Sequence, residues 1–305
     1  MEKRKIGSLE VSVVGLGCNN FGRRLGYNES VSVIHAAIDA GINFLDTADV
    51  YGGTKSEEFI GGALRYRRNE VLIATKFGRE IDEKRKGAKP DYVRRACEDS
   101  LKRLATDHID LYQLHRPDPT TPIADTLGAL DELVRAGKVR EIGCSNFSAE
   151  QLREADSVVT PGNARFVSVQ NEFSLLHREP EKDVIPECRR LGIAFIPYFP
   201  LASGLLSGKY RKGKPAPPGS RIGSSWNSEV LTAHNLEIVE SLIAFAGSKS
   251  HTILELAISW LADHDVIASV IAGATKPEQV RANAAAASWK LTADEMNQVD
   301  AIVSA

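Results

Sequence analysis

Apolar positions along the chain recur in two alternating rhythms. Short runs with a period of two, or apolar throughout, read as strands: "NFLDT", "VLIATK", "HIDLYQLH", "VREIGCSN", "FVSVQNEFS", "IAFIPYFP" and "VIASVIAGA". Stretches with helical spacing lie between and after them: "ESVSVIHAAIDAG", "SEEFIGGALRY", "DYVRRACEDSLKRLA", "IADTLGALDELVRAGK", "SAEQLREADSVV", "PEKDVIPECRRLG", "ILELAISWLADH" and "KPEQVRANAAAA". Glycines such as Gly41, Gly137 and Gly192 punctuate the helix ends. Before the first unit, "KRKIGSLEVSVVGLG" holds two extended runs broken at Gly7-Ser8 and then a buried strand, which reads as a hairpin feeding the first unit. Eight strand–helix units result. Strict alternation implies a parallel sheet. Without an obvious break between domains, eight units favour a closed (β/α)8 TIM barrel with an N-terminal β-hairpin, one domain over residues 1–305. The exception is "RKGKPAPPGSRIGSSWNS", residues 211 to 228, rich in Gly, Pro and Ser. A loop that long in a compact domain is usually functional or disordered, and its Trp226 is expected either to line a mouth or to anchor the loop.

Alternation within the strands predicts which side chains meet. In "FVSVQNE", Phe166, Ser168 and Gln170 share one face and Val167 and Val169 the other. The valine face is expected against helices, which leaves Gln170 inside the barrel. By the same count Phe44 pairs with Asp46, Ala74 with Lys76 and Gln113 with His115. Four strands therefore end in an inward polar side chain, at the end where barrel enzymes carry their active sites.

Composition narrows the functional classes. The chain has 38 Lys and Arg against 40 Asp and Glu, a net charge of −2 and a pI near 6.4. That balance offers no electrostatic case for nucleic acid or an anionic membrane as partner. No apolar run reaches the length of a membrane span, and "MEKRKIGSLEV" lacks the apolar segment of a signal peptide. Cys18, Cys97, Cys144 and Cys188 lie far apart with no C-x-x-C pair, which suits reduced thiols and a cytoplasmic location. Cys18 and Cys144 are expected to be buried and inert. The histidines show no metal-ligand spacing, so no metal is expected.

Asp46, Tyr51, Lys76 and His115, brought to one mouth, make a proton donor tuned by charge. Free tyrosine is a weak acid with a pKa of about 10, and a nearby ammonium lowers that value. Asp46 is expected to hold the Lys76 ammonium, and His115 to orient a carbonyl oxygen toward Tyr51. Singly, each residue has an ordinary structural explanation. Together they protonate an oxygen but supply no electron pair, so a reduction here requires a cofactor.

The segments "DTADVYGGTKSEEFIGGAL", "LIATKFG", "IDLYQLHRPD", "GKVREIGCSNFSAEQL", "VSVQNEFSLL", "PYFPLASGLLSGKY" and "VIAGATKPEQVRAN" occur in order, and together the chain resembles the aldo-keto reductase family as far as about Asn283. The resemblance implies a barrel enzyme that reduces a small-molecule carbonyl with NADPH, or NADH, and no metal; it implies no protein partner. Carried over by motif, Tyr51 is the general acid, with Asp46, Lys76 and His115 in support. Ser145, Asn146 and Gln170 hold the nicotinamide carboxamide, and Tyr198 stacks on the ring. Phe199, Pro200, Leu201, Ala202, Ser203, Leu205 and Lys209 follow the pyrophosphate, and Arg221 meets a 2′-phosphate. Gly273, Thr275, Gln279 and Asn283 take the adenosine end, where "TKPE" also reads as a capping box from Thr275 to Glu278. Gly273 and Ala274 stand where some branches carry lysine and serine, so preference for NADPH is expected to rest on Lys209 and Arg221. Two other readings belong to the same resemblance: a cofactor-sensing subunit of the channel-regulating kind, and an NAD-linked sugar dehydrogenase.

Overall fold

The chain opens with the expected hairpin. Strand β1 (Lys3–Ile6) pairs antiparallel with β2 (Leu9–Ser12). Its apolar side chains Ile6, Leu9 and Val11 are buried against Phe44, Ala74, Leu111 and Ile196 of the strands that follow. Each such side chain withdrawn from water is worth about 1.5–3 kcal/mol, so the hairpin is a plug rather than an ornament. This computed structural model describes residues 1–217 and 230–304; the expectations for Arg221 and Trp226 lie outside the described residues.

Eight parallel strands form the barrel: β3 (Val14–Gly17), β4 (Phe44–Asp46), β5 (Leu72–Phe77), β6 (Ile109–Leu114), β7 (Val139–Ser145), β8 (Phe166–Glu172), β9 (Ala194–Tyr198) and β10 (Val270–Gly273). They lie in the order β10-β3-β4-β5-β6-β7-β8-β9. Closure comes from a short parallel bridge, where the Phe195 N–H donates to the Val266 carbonyl at 2.8 Å and the Ala268 N–H to the Phe195 carbonyl at 3.2 Å. Helices α1 (Tyr27–Asp39), α2 (Lys55–Ala63), α3 (Pro90–Leu104), α4 (Ile123–Arg135), α5 (Ala149–Ser157) and α6 (Val184–Leu191) follow their strands in turn. In α3 the buried residues Val93, Ala96, Cys97, Leu101 and Leu104 make one stripe at helical spacing, and that stripe faces the sheet.

Two helices fall outside the eight-unit count. Helix α7 (Ala233–Ser248) precedes α8 (Ile253–Ala262), and α10 (Ala293–Val303) follows α9 (Pro277–Ala285). No strand separates α7 from α8 or α9 from α10, so strand–helix alternation gave no signal for them. They pack on each other, α7 capped by Thr232 and α10 by a Thr292–Glu295 capping box.

One face assignment is corrected. The β7–β8 register shifts between Ile142 and Cys144, where Ile142 stands opposite Phe166 but Cys144 opposite Val169. The extra residue in β8 is a bulge that resets the alternation. Phe166 and Val169 therefore both join the outer core beneath the helices, while Val167 packs with the cluster inside the barrel. Gln170 still points inward, as its hydrogen bond to Asp46 requires.

Candidate active site

At the C-terminal ends of β4, β5, β6 and β8 a buried polar cluster replaces the apolar filling. Lys76 donates to Asp46 Oδ2 at 2.6 Å and to the Thr47 carbonyl at 2.8 Å. Asp46 Oδ1 accepts from Gln170 Nε2 at 2.8 Å and from Gln113 Nε2 at 3.3 Å. A carboxylate with three donors on its two oxygens is stabilised as the anion despite burial. The matching cation benefits in turn. Burial is the largest single influence and works against the Lys76 charge, but Asp46 and then Tyr51 together outweigh it and the net shift of its pKa is upward.

Tyr51 stands above this pair, with the Lys76 ammonium 5.3 Å from its ring centre and the His115 ring edge-on at 5.8 Å. Its loop is set by close backbone packing. Gly52 has φ of +61°, and a Cβ there would meet the Phe21 carbonyl at 2.3 Å. Only glycine fits that approach. One expectation from sequence is corrected here. Desolvation is the largest influence on Tyr51 and pushes its pKa up; Lys76 pulls it down without reversing the sign. The phenol is therefore protonated at neutral pH. His115 is driven well below the ordinary histidine range, first by burial and then by the charges of Lys76, Arg79 and Arg116. Its imidazole is neutral, and Nδ1 is buried with no partner among the described residues.

Above Tyr51 and His115 opens a cavity of about 940 Å³. Its wall holds Asp46, Tyr51 and His115 together with Ser145, Asn146, Gln170, Tyr198, Phe199, Pro200, Leu201, Ser203, Lys209, Gly273, Thr275, Gln279 and Asn283, which covers most of the residues singled out from sequence. Lys76 lies beneath the wall, reached through Asp46. Ala202 and Leu205 are not on it. The segment Ala202–Ser207 is kinked, with left-handed backbone at Ser203 and Gly204, and the side chains of Ala202 and Leu205 are buried in the outer core. Backbone strain collects beside the cavity: Asn146, Phe199, Ala202 and Ser203 all have positive φ without being glycine. Asn146 is held there by three bonds. Its Nδ2 donates to the His115 carbonyl and to Ser145 Oγ, and its Oδ1 accepts from the Tyr198 hydroxyl at 2.8 Å.

The capping box read at Thr275 does not form. Lys276 is the residue before α9, with no side-chain cap, and Thr275 bonds Gln279 instead. The first N–H groups of α9 thus carry no side-chain cap beside the cavity. Among the described residues no cluster of His, Cys, Asp or Glu has the makings of a metal site, and no helix is long and apolar enough to cross a membrane.

The model of the Aldo/keto reductase family matches residues 13–304. The chain belongs to the aldo-keto reductase family. A probable aldo-keto reductase of Glycine max is 35% identical over 308 residues, spanning 97% of this chain and 87% of that protein. Among solved structures, a glycerol dehydrogenase from Gluconobacter oxydans superposes with a TM-score of 0.87 at 31% identity, covering 99% of this chain and 95% of its own. An aldo-keto reductase from Bacillus halodurans in its holo form gives 0.82 at 32%, covering 99% and 96%. This aldo-keto reductase is accordingly an NAD(P)H-dependent oxidoreductase of carbonyl and alcohol groups. Its cavity wall also includes residues that the sequence reading passed over, namely Arg79, Arg116 and Lys276. Each follows a strand-end residue by one to three positions, and that offset from a barrel mouth was the available signal.

Proposed function

We propose that this reductase converts aldehydes or ketones to alcohols with NADPH, with Tyr51 as the proton donor, in one barrel domain. The observation that carries the reading is the stack of Asp46, Lys76, Tyr51 and His115 at the floor of one cavity. The wall fits a dinucleotide. Amide and hydroxyl groups of Ser145, Asn146 and Gln170 gather near Tyr198 at one end; Lys209, Lys276 and the uncapped α9 N-terminus lie at the other. When bound, the nicotinamide supplies the hydride for the carbonyl carbon.

The protein's own residues handle the oxygen. His115 is neutral with Nδ1 buried; in the tautomer protonated at Nε2 it donates a hydrogen bond to the carbonyl oxygen and fixes its approach. Tyr51 delivers the proton as charge develops there, and Lys76, kept charged by Asp46, steadies the phenolate left behind. Tyr198, locked through Asn146, presents a flat face for the nicotinamide ring. Lys209 and Lys276 support NADPH over NADH because a 2′-phosphate adds charge that cations favour; Arg221 is kept as a candidate third. The glycerol dehydrogenase activity of the Gluconobacter relative supports alcohol oxidation as the same site's reverse direction.

The test is NADPH consumption with a reactive aromatic aldehyde, wild type beside Tyr51→Phe. Loss of a general acid is expected to lower kcat by about 10²–10⁴-fold, with cofactor affinity retained. A variant that keeps its rate removes Tyr51 from the mechanism.

A further inference from the structure

The cavity is more positive at its catalytic end than a neutral carbonyl substrate requires. Among the described residues its wall carries Arg23, Arg24, Arg79, Arg116, Lys209 and Lys276, and its one acid is Asp46, already neutralised by Lys76. Lys209 and Lys276 sit with the residues proposed for the cofactor's phosphates. Arg79 and Arg116 do not: they flank Tyr51 and His115. The charge of Arg79 acts on Tyr51, His115 and Tyr198, and that of Arg116 on His115 and Tyr198.

Both arginines are exposed, and among the described residues neither has a carboxylate within ion-pair distance. Three of the four acids in the same two loops are committed elsewhere, and the fourth, exposed Glu83, pairs with neither arginine. Glu80 pairs with Lys86 and Asp82 with Arg85, while Asp118 accepts from the N–H groups of Ala88 and Thr120. Those loops are also tied together. The His115 N–H donates to the Phe77 carbonyl at 2.8 Å, one residue before Arg116 and two before Arg79, and Asp118 bridges to Ala88 at 2.8 Å. Two unpaired guanidinium groups thus rise from cross-linked strand ends beside the proposed proton donor.

Resting on the reductase reading above, we infer that Arg79 and Arg116 select carbonyl substrates that carry an anion, a carboxylate or a phosphate, on the part of the molecule pointing out of the cavity. Both anions accept paired N–H donors from a guanidinium, a fork geometry that a hydroxyl cannot match. A single exposed ion pair is worth little. Two arginines converging on one anion at the rim of a cavity, with field lines focused by its walls, do better.

The experiment compares 4-carboxybenzaldehyde with its neutral methyl ester, and glyceraldehyde 3-phosphate with glyceraldehyde, in wild type, Arg79→Gln, Arg116→Gln and the double variant. The ester group activates its aldehyde slightly more than a carboxylate does, so chemistry alone favours the neutral partner. Wild type is expected to show kcat/KM at least about tenfold higher for the charged member of one pair, the scale of one charge-assisted hydrogen bond. The gain should lie in KM and shrink with added salt. The double variant should bring the ratio to about one or below. Whichever pair shows the larger ratio identifies the anion. Neutral substrates turned over with no charged preference in either pair overturn the inference and leave the reductase standing. A preference that survives the double variant overturns the assignment to these arginines. Turnover of none of the four removes the reductase reading and this inference together.

Discussion

Asp49, two residues before Tyr51, offers a quantitative test of the electrostatics under the site. The side chain is 1% exposed. Its Oδ1 has no hydrogen-bond partner among the described residues, Oδ2 accepts from the Tyr92 hydroxyl at 3.5 Å, and the neighbouring Val50 N–H gives weak further support. Fully buried Glu57 stands close by, and the Arg103 guanidinium that would neutralise Asp49 is bonded to Glu57 at 2.7 Å. Burial, then the Glu57 charge, push the Asp49 pKa up to about 7. The unfolded chain releases this proton near the ordinary value of 3.8, whereas the native state keeps it to about 7. Between those values the native state binds more protons, so the stability that Asp49 lends is full below about 4 and is lost as pH rises to about 7. Each pH unit in that window costs about 1.4 kcal/mol, and the two units from pH 5 upward amount to about 3 kcal/mol. Asp49→Asn keeps the shape and removes the titration. Urea unfolding of both proteins at pH 5 and pH 8 yields the comparison, because every other group titrates in both and cancels. Wild type should lose about 3 kcal/mol more than the variant between the two pH values. Parallel losses would mean that Asp49 is already ionised at pH 5, and the reasoning would be wrong.

Other perturbations probe the site itself. With a neutral aldehyde, the reduction rate should show no inflection from His115 between about pH 6 and 7, since His115 stays neutral there, and should fall on the alkaline side as Tyr51 ionises at or above the usual phenol range of about 10; a titration of the His115 ring itself near neutrality by NMR would contradict this. Asp46→Asn leaves the Lys76 ammonium buried without its counter-charge, and unfolding curves should register a loss of about 3–5 kcal/mol. Gly52→Ala must displace either Phe21 or the Tyr51 loop, so both the melting temperature and kcat should drop, and a variant matching wild type in both would refute the close approach.

The eight strands and their eight partner helices were legible because each apolar run has the period of its element and a glycine or polar stop. The inward ends Asp46, Lys76, His115 and Gln170 were legible for the same reason. What failed was whatever depends on a partner. The bulge in β8 is set by its pairing with β7, and nothing in "FVSVQNE" distinguishes a six-residue strand from a seven-residue one with an insertion. The side chains of Ala202 and Leu205, read by motif as cofactor contacts, lie in the core, and spacing did not report the kinked turn that puts them there. The sign of the Tyr51 shift needed the depth of burial, which spacing does not report. Helices α7 and α10 satisfy each other's apolar faces and so leave no trace in the strand–helix rhythm.

The Lys76 ammonium has three hydrogens. Two are taken, by Asp46 Oδ2 and by the Thr47 carbonyl, and a third interaction runs to the hydroxyl of Tyr51. Since an ammonium can only donate, that hydroxyl must meet it with a lone pair. Its single hydrogen then has one direction left, away from the lysine and into the cavity. The cluster therefore fixes more than acidity: it gives the tyrosine O–H a polarity, like a diode in a circuit, before any substrate arrives.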